Sequence, residues 1–203
     1  MSIAADQQLR QAHIERATFE TRIVADLDLA GGDVAADTGV PFLDHMLSAL
    51  GKHGRIGLIV ACDGDAEMDP HHTVEDVGIV VGQALKQALG DRRGIQRYGY
   101  AYAPLDEALA RVVVDCSGRP YLHYEVEMPE AVIGRDFSTT LVEEFWRSLA
   151  MNAGLTMHID LVRARNAHHA AEAIFKAGAL AIRQAASPSG APDAMPSTKG
   201  VLA

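Results

Sequence analysis

Apolar residues recur at helical spacing in two long stretches. In the first, Val74, Val77, Val81, Leu85 and Leu89 share one helix face after Asp69. In the second, Ile174, Ala177, Ala181 and Ala185 do the same after Asn166. Asp69 and Asn166 are good N-caps, Pro70 suits a first helical position, and Gly90 suits a helix end. Before each long helix the pattern predicts a shorter amphipathic helix, a glycine-bearing turn and an alternating strand. These are FLDHMLSALGKHGRIGLIVAC from Phe42, with the strand over 55–61, and LVEEFWRSLAMNAGLTMHIDL from Leu141, with the strand over 156–161. Farther upstream, TFETRIVADLDLAGG and ALARVVVDCSGRPYLHYEVEM are both strand-rich.

The order of these segments repeats, so the chain reads as two tandem, similar α+β halves related by a pseudo-two-fold axis. The boundary falls near residues 90–94, giving a first repeat over 1–92 and a second over 93–186. The remaining stretch, 187–203, is rich in Pro, Ser and Gly and reads as a flexible tail.

The repeat also duplicates chemistry. Each long helix starts with an adjacent histidine pair followed by a glutamate, His71-His72-x-x-Glu75 and His168-His169-x-x-Glu172. On a helix, residues i and i+4 share a face, while neighbours diverge by about 100°. His71 therefore points with Glu75 and His168 with Glu172; His72 and His169 point elsewhere. Two adjacent imidazoles grip one ion poorly but serve two ions well. Aligning the short helices places His45 opposite Glu144. The set of eight candidates is then His45, His71, His72, Glu75, Glu144, His168, His169 and Glu172, enough for two sites of four. Imidazole with carboxylate suits Mn, Fe, Co, Ni or Zn, and the lack of thiolate excludes a structural zinc finger. His13, His123 and His158 read as ordinary surface or core histidines.

A basic set stands in glycine- and serine-bearing contexts: Arg97 in GIQRYG, Arg119 in DCSGRPY, Lys176 in IFKAG and Lys199 in PSTKG. Such groups suit phosphate, with Ser197 and Thr198 as added donors. Lys176, four residues after Glu172, also suits a plain helix ion pair.

Composition narrows the class. A formal charge of −9 argues against a nucleic-acid partner, though not against a small anion held by local Arg and Lys. A hydrophobic content of 48% excludes wholesale disorder, and no apolar run approaches the roughly 18 residues of a membrane span. The start of the chain lacks a basic patch followed by an apolar stretch and reads as no signal peptide. Two cysteines, Cys62 and Cys116, are too few for a disulfide framework and read as buried thiols in a reducing cytoplasm.

Together these segments resemble the imidazoleglycerol-phosphate dehydratase family, in its single-function form. The resemblance spans about Arg16 to Leu202 and rests on TFET, GVPFLDHMLSALGKHG, DPHHTVED, GIQRYG, PLDEAL, DCSGRPYL, NAGLTMHI, NAHHAAEAIFKA and PSTKGVL. It implies two βαβ-rich halves, each a four-stranded sheet backed by helices, of the ribosomal protein S5 domain 2-like type. It implies an assembly of 24 subunits with octahedral symmetry and active sites at subunit interfaces, each holding two Mn(II). The family ligands fall on His45, His71, His72, Glu75, His168, His169 and Glu172; the eighth, a His in some members, is Glu144 here. Substrate contacts carry over to Glu20, His45, His53, His71, Arg97, Arg119, His168, Lys176, Ser197, Thr198 and Lys199, the basic ones holding the phosphate. The implied reaction is dehydration of imidazoleglycerol phosphate to imidazole-acetol phosphate in histidine biosynthesis, through an imidazolate and a diazafulvene-like intermediate, with Glu20 or Glu172 moving the proton. Two rival readings of the same residues are a binuclear phosphate-ester hydrolase, for which Asp76 is the available bridging Asp, and a non-catalytic metal store.

Overall fold

The computed structural model describes residues 10–64, 66 and 69–202; most of the segment read above for a leader lies outside them. The first half runs β1 (Gln11–Ala17), β2 (Thr21–Asp28), β3 (Val34–Asp37), α1 (Pro41–Gly54), β4 (Gly57–Gly64) and α2 (Pro70–Leu89). The second runs β5 (Tyr98–Leu105), β6 (Ala108–Asp115), β7 (Tyr121–Glu125), then a small hairpin of β8 (Val132–Ile133) and β9 (Phe137–Ser138). It continues with α3 (Thr140–Ala153), β10 (Thr156–Arg163) and α4 (Ala167–Ala186). Without the hairpin, both halves read strand, strand, strand, helix, strand, helix.

The sheets match as well. Their orders are β1-β2-β4-β3 and β5-β6-β10-β7, with the last strand of each parallel to its neighbour and the other pairs antiparallel. The α+β class and the two four-stranded sheets backed by helices are thus as expected. The strand expected to begin at Arg55 begins at Gly57 instead. Arg55 sits at φ 50°, a left-handed position that ends α1.

Each long helix backs its own sheet: α2 lies on β1 and β2, and α4 on β5 and β6. The short helices cross over. α1 packs on α4 and α3 packs on α2, so all four helices meet between the sheets. Small residues allow this approach. A Cβ at Gly78 would lie 2.8 Å from the carbonyl oxygen of Phe145, and one at Gly82 would lie 2.6 Å from that of Leu149. The centre of this layer is aromatic, with Phe175 5.0 Å from both Phe145 and Trp146 between ring centroids. All three side chains are fully buried.

The outer face of the second sheet is open. Tyr100, Val113, His158 and His123 form a row across β5, β6, β10 and β7, and Tyr98, Tyr102 and Tyr121 are exposed beside it. Among the described residues, no helix is long and apolar enough to cross a membrane.

The two cysteines are free thiols, Cys116 buried and Cys62 half-buried. Burial pushes Cys62 up to about 11 and Cys116 up to about 12. Roughly a thousandth or less of either is then the reactive thiolate at pH 8. Iodoacetamide at pH 8 is therefore expected to spare both in the folded protein while alkylating both in urea. Mass spectra showing rapid folded-state alkylation of Cys116 would contradict this.

Candidate metal centre and phosphate site

The caps act as the sequence predicts. The Asp69 side chain accepts from the His71 backbone N–H, and Asn166 accepts from that of His169. Each cap holds a histidine pair at the first turn of a helix. The paired rings stand almost perpendicular, at 85° for His71 and His72 and 90° for His168 and His169, so each pair faces two directions.

One member of each pair enters a trio of candidate ligands. His45, His168 and Glu172 form one trio; His71, Glu75 and Glu144 form the other. Within each, the donor atoms lie within 4.8 Å of one another, which suits a single divalent ion. Both trios are crossed between the halves. α1 supplies His45 to the α4 residues, and α3 supplies Glu144 to the α2 residues. The packing of short on long helix is what brings them together.

Glu172 is the hub of its trio. Its Oε2 lies 3.4 Å from His45 Nε2 and 3.3 Å from His168 Nε2, while Oε1 is 2.7 Å from Lys176 Nζ. Burial pushes this carboxyl up, but Lys176 and His45 outweigh it, and its pKa lies below the ordinary carboxylate value. His53, at the end of α1, is pushed down by burial and by the charge of Lys176. Phe42 walls this trio, 5.2 Å from the His168 ring and 4.8 Å from Phe137 of the β8–β9 hairpin.

The other member of each pair lies outside the trios. His72 Nδ1 is 3.7 Å from Glu20, and His169 Nδ1 is 2.9 Å from Glu107. The hydrogen bond to His169 holds Glu107 well below its usual value, at about 2. Within one chain, then, six of the eight candidates gather into two groups of three, and His72 and His169 face away from them. Glu107 was absent from the candidates read in the sequence. Its signal was available in PLDEAL: Glu107 immediately precedes β6, as Glu20 immediately precedes β2.

The basic set lies at the other end of the second sheet. Arg97, at φ 71° just before β5, forks onto Asp115 with Nε and Nη2 at 2.8 and 3.1 Å. Its Nη1 donates to the Pro196 carbonyl at 2.7 Å. Arg119 is more exposed, with Nη2 3.8 Å from Asp115. The tail, read as flexible, is tied back through Pro196: Gly94 N–H donates to the Ala194 carbonyl and Ser189 N–H to that of Gly94. Ser197 and exposed Lys199 follow, with Lys199 N–H on Ser197 Oγ, and Thr198 lies exposed between them. Asp115 ends β6 and Glu107 immediately precedes this eight-residue strand, so the strand sets Asp115, the partner of the basic set, roughly 26 Å from Glu107, the partner of His169. Lys176 and His53 belong with the His45 trio instead.

Both oxygens of Asp76 are engaged by groups outside the two trios. Arg16 Nη1 is 2.6 Å from Oδ1, and the Thr21 hydroxyl donates to Oδ2.

The model of the imidazoleglycerol-phosphate dehydratase family matches residues 38–182. The chain is 56% identical over 196 residues to the imidazoleglycerol-phosphate dehydratase of Aromatoleum aromaticum, covering 96% of this chain and all of that one. It is 57% identical over 175 residues to that of Nitrosococcus oceani, covering 86% and 88%. Among solved structures, the enzyme of that name from Staphylococcus aureus superposes with a TM-score of 0.80 at 41% identity, over 88% of this chain and 99% of that one. IGPD from Pyrococcus furiosus gives 0.81 at 35% identity, over 93% and 100%. Matched in sequence along nearly its whole length and in fold at that level, the chain belongs to the imidazoleglycerol-phosphate dehydratase family.

Proposed function

We propose that the chain is a hydro-lyase that dehydrates D-erythro-imidazoleglycerol phosphate to imidazole-acetol phosphate and water in L-histidine biosynthesis. Its active site would hold two Mn(II) ions and be built between copies of the chain within a 24-subunit assembly. The observation that carries this reading is the pair of crossed imidazole–carboxylate trios, each with a further histidine beside it that turns to a carboxylate outside the trio, His72 to Glu20 and His169 to Glu107. Neutral imidazole and carboxylate form a donor set that suits Mn(II).

A small substrate cannot touch the basic set and His169 of one chain when roughly 26 Å of strand lies between them. It can touch both if they come from different copies. The exposed tyrosines on the open sheet face supply apolar surface for such association.

When bound, the ions would supply Lewis acidity at the substrate's ring nitrogens, favouring the imidazolate from which a diazafulvene-like intermediate forms. The chain's own residues do the rest. Arg119, Ser197, Thr198 and Lys199 hold the phosphate, and Arg97 keeps the tail in place through Pro196. Glu172 is committed to His45, His168 and Lys176. Glu20, about half exposed beside His72, is therefore the carboxylate that moves the proton. The hydroxyl on the ring-bearing carbon leaves as water, the C–H proton of the next carbon is removed, and the enol becomes the ketone.

The engagement of Asp76 with Arg16 and Thr21 weighs against a phosphate-ester hydrolase. Stripping metal with a chelator is expected to abolish ketone formation, and adding Mn(II) to restore it. Full activity after stripping, or release of inorganic phosphate without ketone, would refute the reading.

A further inference from the structure

The duplicated carboxylates before β2 and β6 are not used alike. In both halves the residue preceding the second strand is a glutamate, and the third residue of the long helix is a histidine whose Nδ1 faces it. The loops differ by one residue. Three residues, Thr18, Phe19 and Glu20, join β1 to β2, whereas Asp106 and Glu107 alone join β5 to β6. The shorter turn carries Asp106 at φ 46°, and it brings Glu107 to 2.9 Å from His169. In the longer loop, the Thr18 hydroxyl takes the Glu20 N–H, and the Glu20 carboxylate stays 3.7 Å from His72.

Glu107 is also held from its other side. Its Oε1 accepts the Arg165 backbone N–H at 3.3 Å, in the turn leading into α4. One carboxylate thus spans the entry to α4 and the imidazole on its first turn. With a carboxylate as acceptor, His169 carries its proton on Nδ1, which leaves the Nε2 lone pair on the far side of the ring.

We propose that Glu107 is a positioning residue, fixing His169 in the ring setting and tautomer that present Nε2 to a divalent ion shared with a neighbouring copy of the chain. This rests on the metal reading above. A carboxylate behind a ligating imidazole sets the ring and raises its basicity. The duplication has then divided the labour: Glu107 is locked behind a ligand, and Glu20 is left to work on substrate.

The test is an equilibrium titration of metal-stripped protein with Mn(II), following free ion by its paramagnetic resonance signal. Wild type is expected to bind two ions per chain. Glu107→Ala should weaken one of the two by about 10–100-fold and leave the other as in wild type. Glu107→Gln retains an acceptor for Nδ1–H and should keep most of that affinity. Glu20→Ala, at the equivalent position, should bind both ions as wild type does. Wild-type affinity at both sites in Glu107→Ala, or an equal loss in Glu20→Ala, overturns the assignment while the metal reading stands. Failure of the wild type to bind Mn(II) overturns both.

Discussion

Replacing Glu172 with alanine is expected to lower kcat/KM for ketone formation by about a thousandfold. The residue joins three side chains that would otherwise diverge: its Oε2 sits between His45 and His168, and its Oε1 holds Lys176. Its loss removes the only carboxylate of that trio. A Lewis-acid site is worth several kcal/mol of transition-state charge stabilisation, and about 4 kcal/mol corresponds to about three decades of rate. The fold should survive, because the helix is anchored by its apolar face; Ile174, Ala177, Ala181 and Ala185 remain buried on it. The measurement pairs steady-state kinetics with metal content and circular dichroism. A Glu172→Ala protein with native helix content and activity within tenfold of wild type would show that the trio is not the reaction centre.

The largest structural effect is expected from Gly99→Ala. Gly99 lies in β5 where the strand presses on α4. A Cβ there would come 1.9 Å from the Ala181 carbonyl oxygen and 2.7 Å from the Ala185 backbone nitrogen. Both obstacles are main chain, so no side chain can swing aside. Strand and helix must separate, which loosens the packing on which the second half depends. A cost of about 4 kcal/mol, at the severe end for a point substitution, is expected in urea unfolding. Gly134→Ala is the control. Its φ of 64° disfavours alanine, yet nothing lies within 4 Å, so about 1 kcal/mol is expected. Similar midpoints for the two variants would remove the steric argument.

The parts of this molecule governed by local rules were legible in the sequence. The caps at Asp69 and Asn166, the Pro70 start and the twin His-His-x-x-Glu turns depend only on neighbours along the chain, as does the divergence of adjacent imidazoles. Which helix packs on which does not. Periodicity marks the buried face of α1 without saying that α4 covers it, so the eight candidates could be named while their division into crossed trios could not. Strand β3, VAAD, and the two-residue strands β8 and β9 are too short to show alternation. The fork of Arg97 on Asp115 is likewise a tertiary pairing, invisible in GIQRYG. Glu107 is different: the repeat itself marks its position opposite Glu20, and only its use differs.

The crossing of the helices carries a consequence for ancestry. Each trio takes one ligand from the short helix of one half and two from the long helix of the other. Neither half alone can assemble one. Two copies of a single ancestral half, exchanging short helices across a two-fold, would have built both trios in identical form. Joining such copies end to end would free each to drift, and His45 opposite Glu144 is the kind of difference that drift would leave between the two trios.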